Sequence, residues 1–327
     1  MLTVMTRNLF LGADLRPVYA ALADPERLAE VPAAVAAVFN PGRPPGLVQQ
    51  TDFAARAIAI AREIEATRPD VIGFQEAAVW RTRRPGAAAP IVVADHLNIL
   101  EHEIARRGLA YHRVAVVTNG DVELPSAAGI GVGLADRGGI LARSGLVLSN
   151  ARAEGFASAV QVRTAQGTFP LTRGWASVDI GFGARTLRFV TAHLEAASPT
   201  EAKEVQAFQM GELLAGPADT TLPVVLVGDF NARPGTPTYD RARSAGFDDA
   251  WARAHPDGPL GLTCCHRLPL DDPADQLRSR IDHIFTRGDL EVTAAVTVGG
   301  APADFTAGLW PSDHAGVVAT LAASREA

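Results

Sequence analysis

Cysteine is almost missing from this chain: 327 residues contain two, and these are neighbours, Cys264 and Cys265. Adjacent cysteines cannot staple distant segments, so a disulfide framework is excluded as the source of stability. Two small buried thiols are expected instead, because free Cys is among the most buried residue types. Also absent is any apolar run near the roughly 18 residues that a membrane-crossing helix requires. The amino terminus has neither a basic n-region nor a separate apolar h-region, since strand-like sequence begins at Leu2. A cytoplasmic protein is the expectation, unless a mature secreted form has gained a new initiator Met. No internal repeat or low-complexity tract interrupts the sequence. Basic charge is sparse too: the formal net charge is −6, and no stripe of Lys and Arg resembles those that neutralise phosphates in nonspecific nucleic-acid binders. The densest basic cluster, Arg81, Arg83 and Arg84, lies between Pro and Gly signals and is expected to form a solvated surface loop.

What is present suits a large α/β domain. Hydrophobic residues make up 47% and charged residues 20% of the chain, enough to bury a substantial core, and one domain over residues 1–327 is favoured. The most informative stretch is Leu222 to Arg233 (LPVVLVGDFNAR), where an apolar strand run stops at Gly228 and delivers Asp229 and Asn231. Residues two apart on an extended segment share a face. A carboxylate and an amide aimed together suit water activation and phosphate-oxygen binding, although Asp and Asn also favour ordinary turns. Four further segments have the same form, an apolar run closing on polar residues: Thr3 to Asn8, Asp70 to Glu76, Leu187 to His193 and Arg280 to His283. A sixth, Pro311 to His314, precedes the strand-like run Ala315 to Leu321. Helical spacing marks Ala54 to Ala66 and Thr200 to Leu214. A helical stretch near Val18 to Phe39, followed by the breaker-rich Asn40 to Gly46, forms an insertion over about 12–50 that is either a lid or a surface elaboration.

Taken in order, these segments resemble the endonuclease/exonuclease/phosphatase superfamily, the DNase I-like fold, from Thr3 to Leu321. The pairing of Gly228-Asp229-Phe230-Asn231 with Ser312-Asp313-His314 carries most of the likeness. The resemblance implies a four-layer sandwich, two mixed β-sheets packed face to face and flanked by helices, and a divalent-metal-dependent phosphoesterase. Mg²⁺ or Mn²⁺ is the implied cofactor, a hard cation that needs only one or two carboxylates against a phosphate. Glu76 would bind the ion, Asn8 would support that site and Asp313 would lie at its edge. Asp229 would orient or deprotonate the attacking water, and Asn231 would hold a nonbridging phosphate oxygen. His314 would act on the phosphate or in acid/base chemistry, with Asp282 fixing its tautomer.

His193 bears on the branch. His193-Leu194 looks like the phosphatase and phospholipid-hydrolysing members, and Thr263-Cys264-Cys265, Arg278 to Asp282 and Gly308 to Pro311 resemble a group of bacterial members of unassigned substrate. Arg173 reads either as a phosphate contact or as an ordinary strand-end Arg. The acidic charge favours a small or phospholipid-like phosphoester over a polynucleotide. A nuclease is the alternative if folding gathers the scattered arginines, and a noncatalytic binding protein would require a broken constellation.

Overall fold

Two parallel strand pairs decide the architecture, because parallel neighbours need long crossovers, usually helical. Leu2–Asn8 runs parallel to Val71–Gln75, with helix Phe53–Thr67 in the crossover; Arg185–His193 runs parallel to Val224–Asp229, joined through helix Thr200–Ala215. The structure, a computed structural model, describes residues 1–164, 167–196 and 200–323. Among these, an eight-stranded sheet has the order Leu290–Val298, Gly316–Ala323, Leu2–Asn8, Val71–Gln75, Gly131–Arg143, Val79–Arg83 and Ile91–Asp95, with Tyr111–Pro125 pairing along Gly131–Arg143. A six-stranded sheet has the order Asp248–Asp249, Asp282–Arg287, Val224–Asp229, Arg185–His193, Gly174–Phe182 and Leu148–Gly155. The remaining pairs around the parallel ones are antiparallel, so both sheets are mixed.

Period-2 alternation sorts the side chains into layers. Val4, Val71, Val225, Val227, Phe189 and Ile284 meet between the sheets. At Gly73 the sheets come so close that a Cβ would stand 2.4 Å from Thr191 Oγ1 and 2.6 Å from Val227 Cγ2. Met5, Ile72 and Phe74 face outward onto Phe53, Ala57, Ile60 and Ile64 of the first crossover helix. Val224, Leu226 and Phe285 face outward onto Met210 and Leu213 of the second. Each fully buried Ile or Leu in these layers is worth about 1.5–3 kcal/mol relative to exposure. The result is the four-layer sandwich expected from the sequence.

The expected helix 54–66 becomes Phe53–Thr67. Asp52 starts it by accepting from Ala54 N at 3.1 Å and Ala55 N at 3.3 Å, and Arg68 ends it with φ 47°. The single helical stretch expected over Val18 to Phe39 is instead divided into Arg16–Ala23, a 3₁₀ turn Pro25–Glu30 and Val31–Val38. Pro25 and Pro32 supply no backbone donor, which prevents one continuous ladder. Val18, Ala21, Val31, Val35 and Phe39 form their own apolar cluster with Ala78, Trp80 and Leu134. Arg81 and Arg83 lie on strand Val79–Arg83 rather than in a loop, because that strand pairs with Gly131–Arg143, a tertiary pairing that local composition does not reveal. Their charges meet Asp121 and Glu123.

Candidate active site

The alternation that turns Val225 and Val227 into the inter-sheet core also turns Asp229 inward at the strand's end, and it does the same for Thr6 and Asn8 beyond Val4. The polar ends of both sheets therefore close one edge of the sandwich. Register aligns three of these residues, with His193 opposite Asp229 and Asp229 opposite Asp282. Asp282 opens its strand instead of closing one, so the expected apolar run ending at His283 is corrected: Asp282–Arg287 is antiparallel to Val224–Asp229 and leads away from the site. Gly228 is required here. Its φ is 151°, and a Cβ would fall 2.0 Å from Ala192 O. Beyond it Asn231, at φ 49°, donates its backbone N–H to Asp229 Oδ1 at 2.9 Å. The Asp/Asn turn and the candidate pair are thus the same object.

Every residue expected at the site is placed at this edge or beside it. Asn8 Nδ2 donates to Asp229 Oδ2 at 3.1 Å, joining the two sheets. Glu76, at φ 56° just past Val71–Gln75, accepts from Leu11 N at 2.9 Å. Ser312 Oγ donates to Asn8 O at 2.9 Å, and His314 N donates back to Ser312 Oγ at 3.2 Å, which ties the Ser312–His314 turn to the first strand. His314 Nδ1 lies 2.8 Å from Asp282 Oδ2, and its Nε2 lies 3.8 Å from Asp229 Oδ2.

Electrostatics separates the roles these groups can take. Burial, reinforced by Asp282, pushes the Asp229 carboxyl up to about 7, close to the value suited to a base at neutral pH. Burial and then the nearby Asp313 and Asp136 carboxylates push Glu76 up to about 7, and burial also raises Asp313. Glu76 and Asp313 are thus desolvated carboxylates within each other's field, hard oxygen donors of the kind that Mg²⁺ or Mn²⁺ takes. Burial by itself would lower His314, but Asp282, Asp313 and Asp229 hold it well above the ordinary histidine value, as an imidazolium.

His193 is of the opposite kind. Arg173 Nη1 lies 3.1 Å from its Nδ1. A guanidinium only donates, so His193 Nδ1 accepts and the ring proton sits on Nε2, 3.5 Å from Asp229 Oδ2. Burial and the Arg173 charge hold His193 well below the ordinary value, hence neutral. Arg173 is held in turn by Asp136 at 3.4 Å and Glu195 at 3.6 Å. From the 12–50 insertion, the half-buried Tyr19 lies within the field of Arg173, Asp136, Glu195 and Glu76.

Sequence reasoning missed Asp136, Glu195, Tyr19 and, most consequentially, Arg56. This fully buried guanidinium donates to Thr51 O at 2.7 Å, Leu9 O at 2.8 Å, Pro311 O at 2.9 Å and Phe10 O at 3.1 Å. It clamps the loop after the first strand to the segment entering Ser312. A signal existed, since Arg56 sits at i+3 from Phe53 and i−4 from Ile60, on the apolar face of its helix. The cysteines also depart from expectation. Their sulfurs are bonded to each other, and only Cys264 is buried, drawn in by bridges to Ser279 and His314 while Cys265 stays half-buried.

A family model described as the Endonuclease/Exonuclease/phosphatase family matches residues 47–314. No curated sequence relative matches the chain. An endonuclease/exonuclease/phosphatase from Beutenbergia cavernae DSM 12333 aligns with TM-score 0.60 at 20% identity, over 99% of this chain and 72% of its own. The mannosyl-6-phosphatase Bt3783 of Bacteroides thetaiotaomicron VPI-5482 aligns with TM-score 0.57 at 18% identity, over 98% of this chain and 100% of its own. D. rerio TDP2, complexed with a single-strand DNA product, gives TM-score 0.58 at 14% identity, covering 98% of each chain. At such identities the likeness is one of fold.

Proposed function

Because the chain belongs to the endonuclease/exonuclease/phosphatase family, whose model spans residues 47–314, we propose that it is a divalent-metal-dependent phosphoesterase that hydrolyses its substrate by in-line attack of an activated water. The observation that carries this reading is the aligned row His193, Asp229 and Asp282 with His314 held 2.8 Å from Asp282. Asp229 takes a proton from the water as the new P–O bond forms and the bond to the leaving oxygen breaks. Donors on both of its oxygens, Asn8 Nδ2 and Asn231 N, fix the direction of the carboxylate. The imidazolium of His314 spends its Nδ1 proton on Asp282, which leaves Nε2–H for a phosphate oxygen. His193 carries its proton on Nε2, 3.5 Å from the same Asp229 oxygen that His314 Nε2 approaches, and stays neutral, so it orients and does not supply an acid proton. One hydrogen of Asn231 Nδ2 is engaged by Leu194 O at 3.0 Å, and Nδ2 also lies 3.4 Å from His193 Nε2, so amide and imidazole stand side by side where a nonbridging oxygen would be held. Glu76 and Asp313 would hold Mg²⁺ or Mn²⁺, with Asn8 as support, and the bound ion would supply charge neutralisation of the phosphate. Chelation should abolish turnover, and either ion should restore it. Undiminished activity at verified negligible metal would overturn the proposal.

For the substrate, the arginines support a choice. Arg56 is buried against carbonyls, Arg7 against Glu63 and His314 O, and Arg173 is shared between Asp136 and Glu195. The three guanidiniums gathered at the site are therefore committed to internal partners instead of to phosphates flanking the scissile one. This favours a small or phospholipid-like phosphoester over a polynucleotide. Phosphomonoesters, phosphodiesters, sugar phosphates, phospholipids and single- and double-stranded DNA should be compared at equal metal and low salt, where DNA binding is strongest. A small phosphoester should give the highest kcat/KM. Dominant cleavage of DNA that vanishes in Asp229→Asn would establish a nuclease instead.

A further inference from the structure

We propose that Cys264, Cys265 and His314 form a redox-gated site for a thiophilic cation such as Zn²⁺, open when the two sulfurs are thiols, and that its occupation disables the phosphoesterase centre. The inhibitory half rests on the role given above to His314; the binding half does not. Cys265 Sγ lies 3.8 Å from His314 Nε2, and one donor atom from each of the three residues lies within 4.8 Å of the others. A bridge between Cys264 and His314, with Ala315 N donating to Thr263 O at 2.7 Å, holds the two segments side by side. Both sulfurs point the same way, since they are bonded to each other, and Cys265 is half-buried.

The donor chemistry separates this site from the proposed catalytic one. Two thiolates and an imidazole select borderline and soft ions, whereas the all-oxygen corner of Glu76 and Asp313 selects hard ones. Asp282 engages Nδ1 and leaves Nε2 as the ring nitrogen facing the sulfurs, the usual carboxylate–histidine support of a metal ligand. Asp229, 3.8 Å from Nε2, adds a favourable negative charge. Opening the site takes two electrons and two protons: a phosphine reductant and one water become the phosphine oxide, and the S–S bond becomes two thiols. The cation then displaces the two thiol protons and the Nε2 proton, and His314 loses the hydrogen it would offer a phosphate.

The test uses the whole chain, reduced with a phosphine, desalted without oxygen and held in saturating Mg²⁺, then titrated with Cd²⁺ as the spectroscopic probe. We expect two titratable thiols, a near-ultraviolet sulfur-to-cadmium absorption saturating at one Cd²⁺ per chain, and parallel loss of phosphoesterase activity. The unreduced protein and the Cys264→Ser/Cys265→Ser variant should show no such band. His314→Gln, folded by circular dichroism, should shift the midpoint to at least about tenfold higher Cd²⁺. Fewer than two thiols after reduction, no band, or an unmoved midpoint in His314→Gln would overturn the site. A band with the expected midpoints in a protein inactive on every phosphoester would leave the cation site standing and sink the proposed function.

Discussion

Asp229→Asn should lower kcat by roughly 10²–10⁴, the scale of a positioned proton acceptor, while leaving the fold intact. The amide keeps the volume at the end of Val224–Asp229 and its single oxygen still accepts from one of the two donors, Asn8 Nδ2 or Asn231 N, but it cannot take a proton from water. Stability should move the other way. Burial and Asp282 raise the Asp229 carboxyl from 3.8 to about 7, so in metal-free protein the folded state keeps this proton longer than the unfolded chain does. Stability contributed by this group therefore falls as pH rises from about 4 to about 7. In chelator, Asn at this position should raise the melting temperature relative to wild type, and more at pH 8 than at pH 5. A folded variant with wild-type kcat removes Asp229 from the chemistry. A melting temperature equally lowered at both pH values would show that the carboxylate is structural instead.

The dyad of His314 and Asp282 gives the second large effect. His314→Ala should reduce kcat by roughly 10²–10⁴, and the pH profile distinguishes a chemical from a packing role. With Asp229 needed as carboxylate and His314 as imidazolium, kcat/KM should rise through an acid limb near 7 and fall on an alkaline limb. Saturating metal should move the acid limb lower, since a nearby cation favours the carboxylate. Asp282→Asn removes one of the anions that hold the imidazolium up, so the alkaline limb should move to lower pH while the acid limb also falls, because Asp282 is what repels Asp229. An unmoved alkaline limb in a folded Asp282→Asn variant would refute the pairing.

Much of this was legible in the residues alone, and the reasons are local. Apolar alternation ending in a polar residue marks a strand and its last inward side chain, so Asn8, His193 and Asp229 could be read as strand ends from period 2. Gly228 marked where the apolar run of its strand stops, and the helical phase of Ala54 to Ala66 fixed its core face. Other features were decided by pairing between segments far apart in sequence, where local patterns carry no information. Arg81 and Arg83 became strand residues because Gly131–Arg143 lies beside them, and Asp282 opens a strand because its neighbour runs antiparallel. The neutrality of His193 depends on burial and on Arg173, 20 residues away, and the charge on His314 on Asp282 and Asp229 from other segments together with its neighbour Asp313. A protonation state is the sum of burial and neighbouring charge, and both exist only after the sheets have closed on each other. The sequence determined which groups this protein can use; tertiary structure decided which of them hold a proton, in which tautomer, and against what.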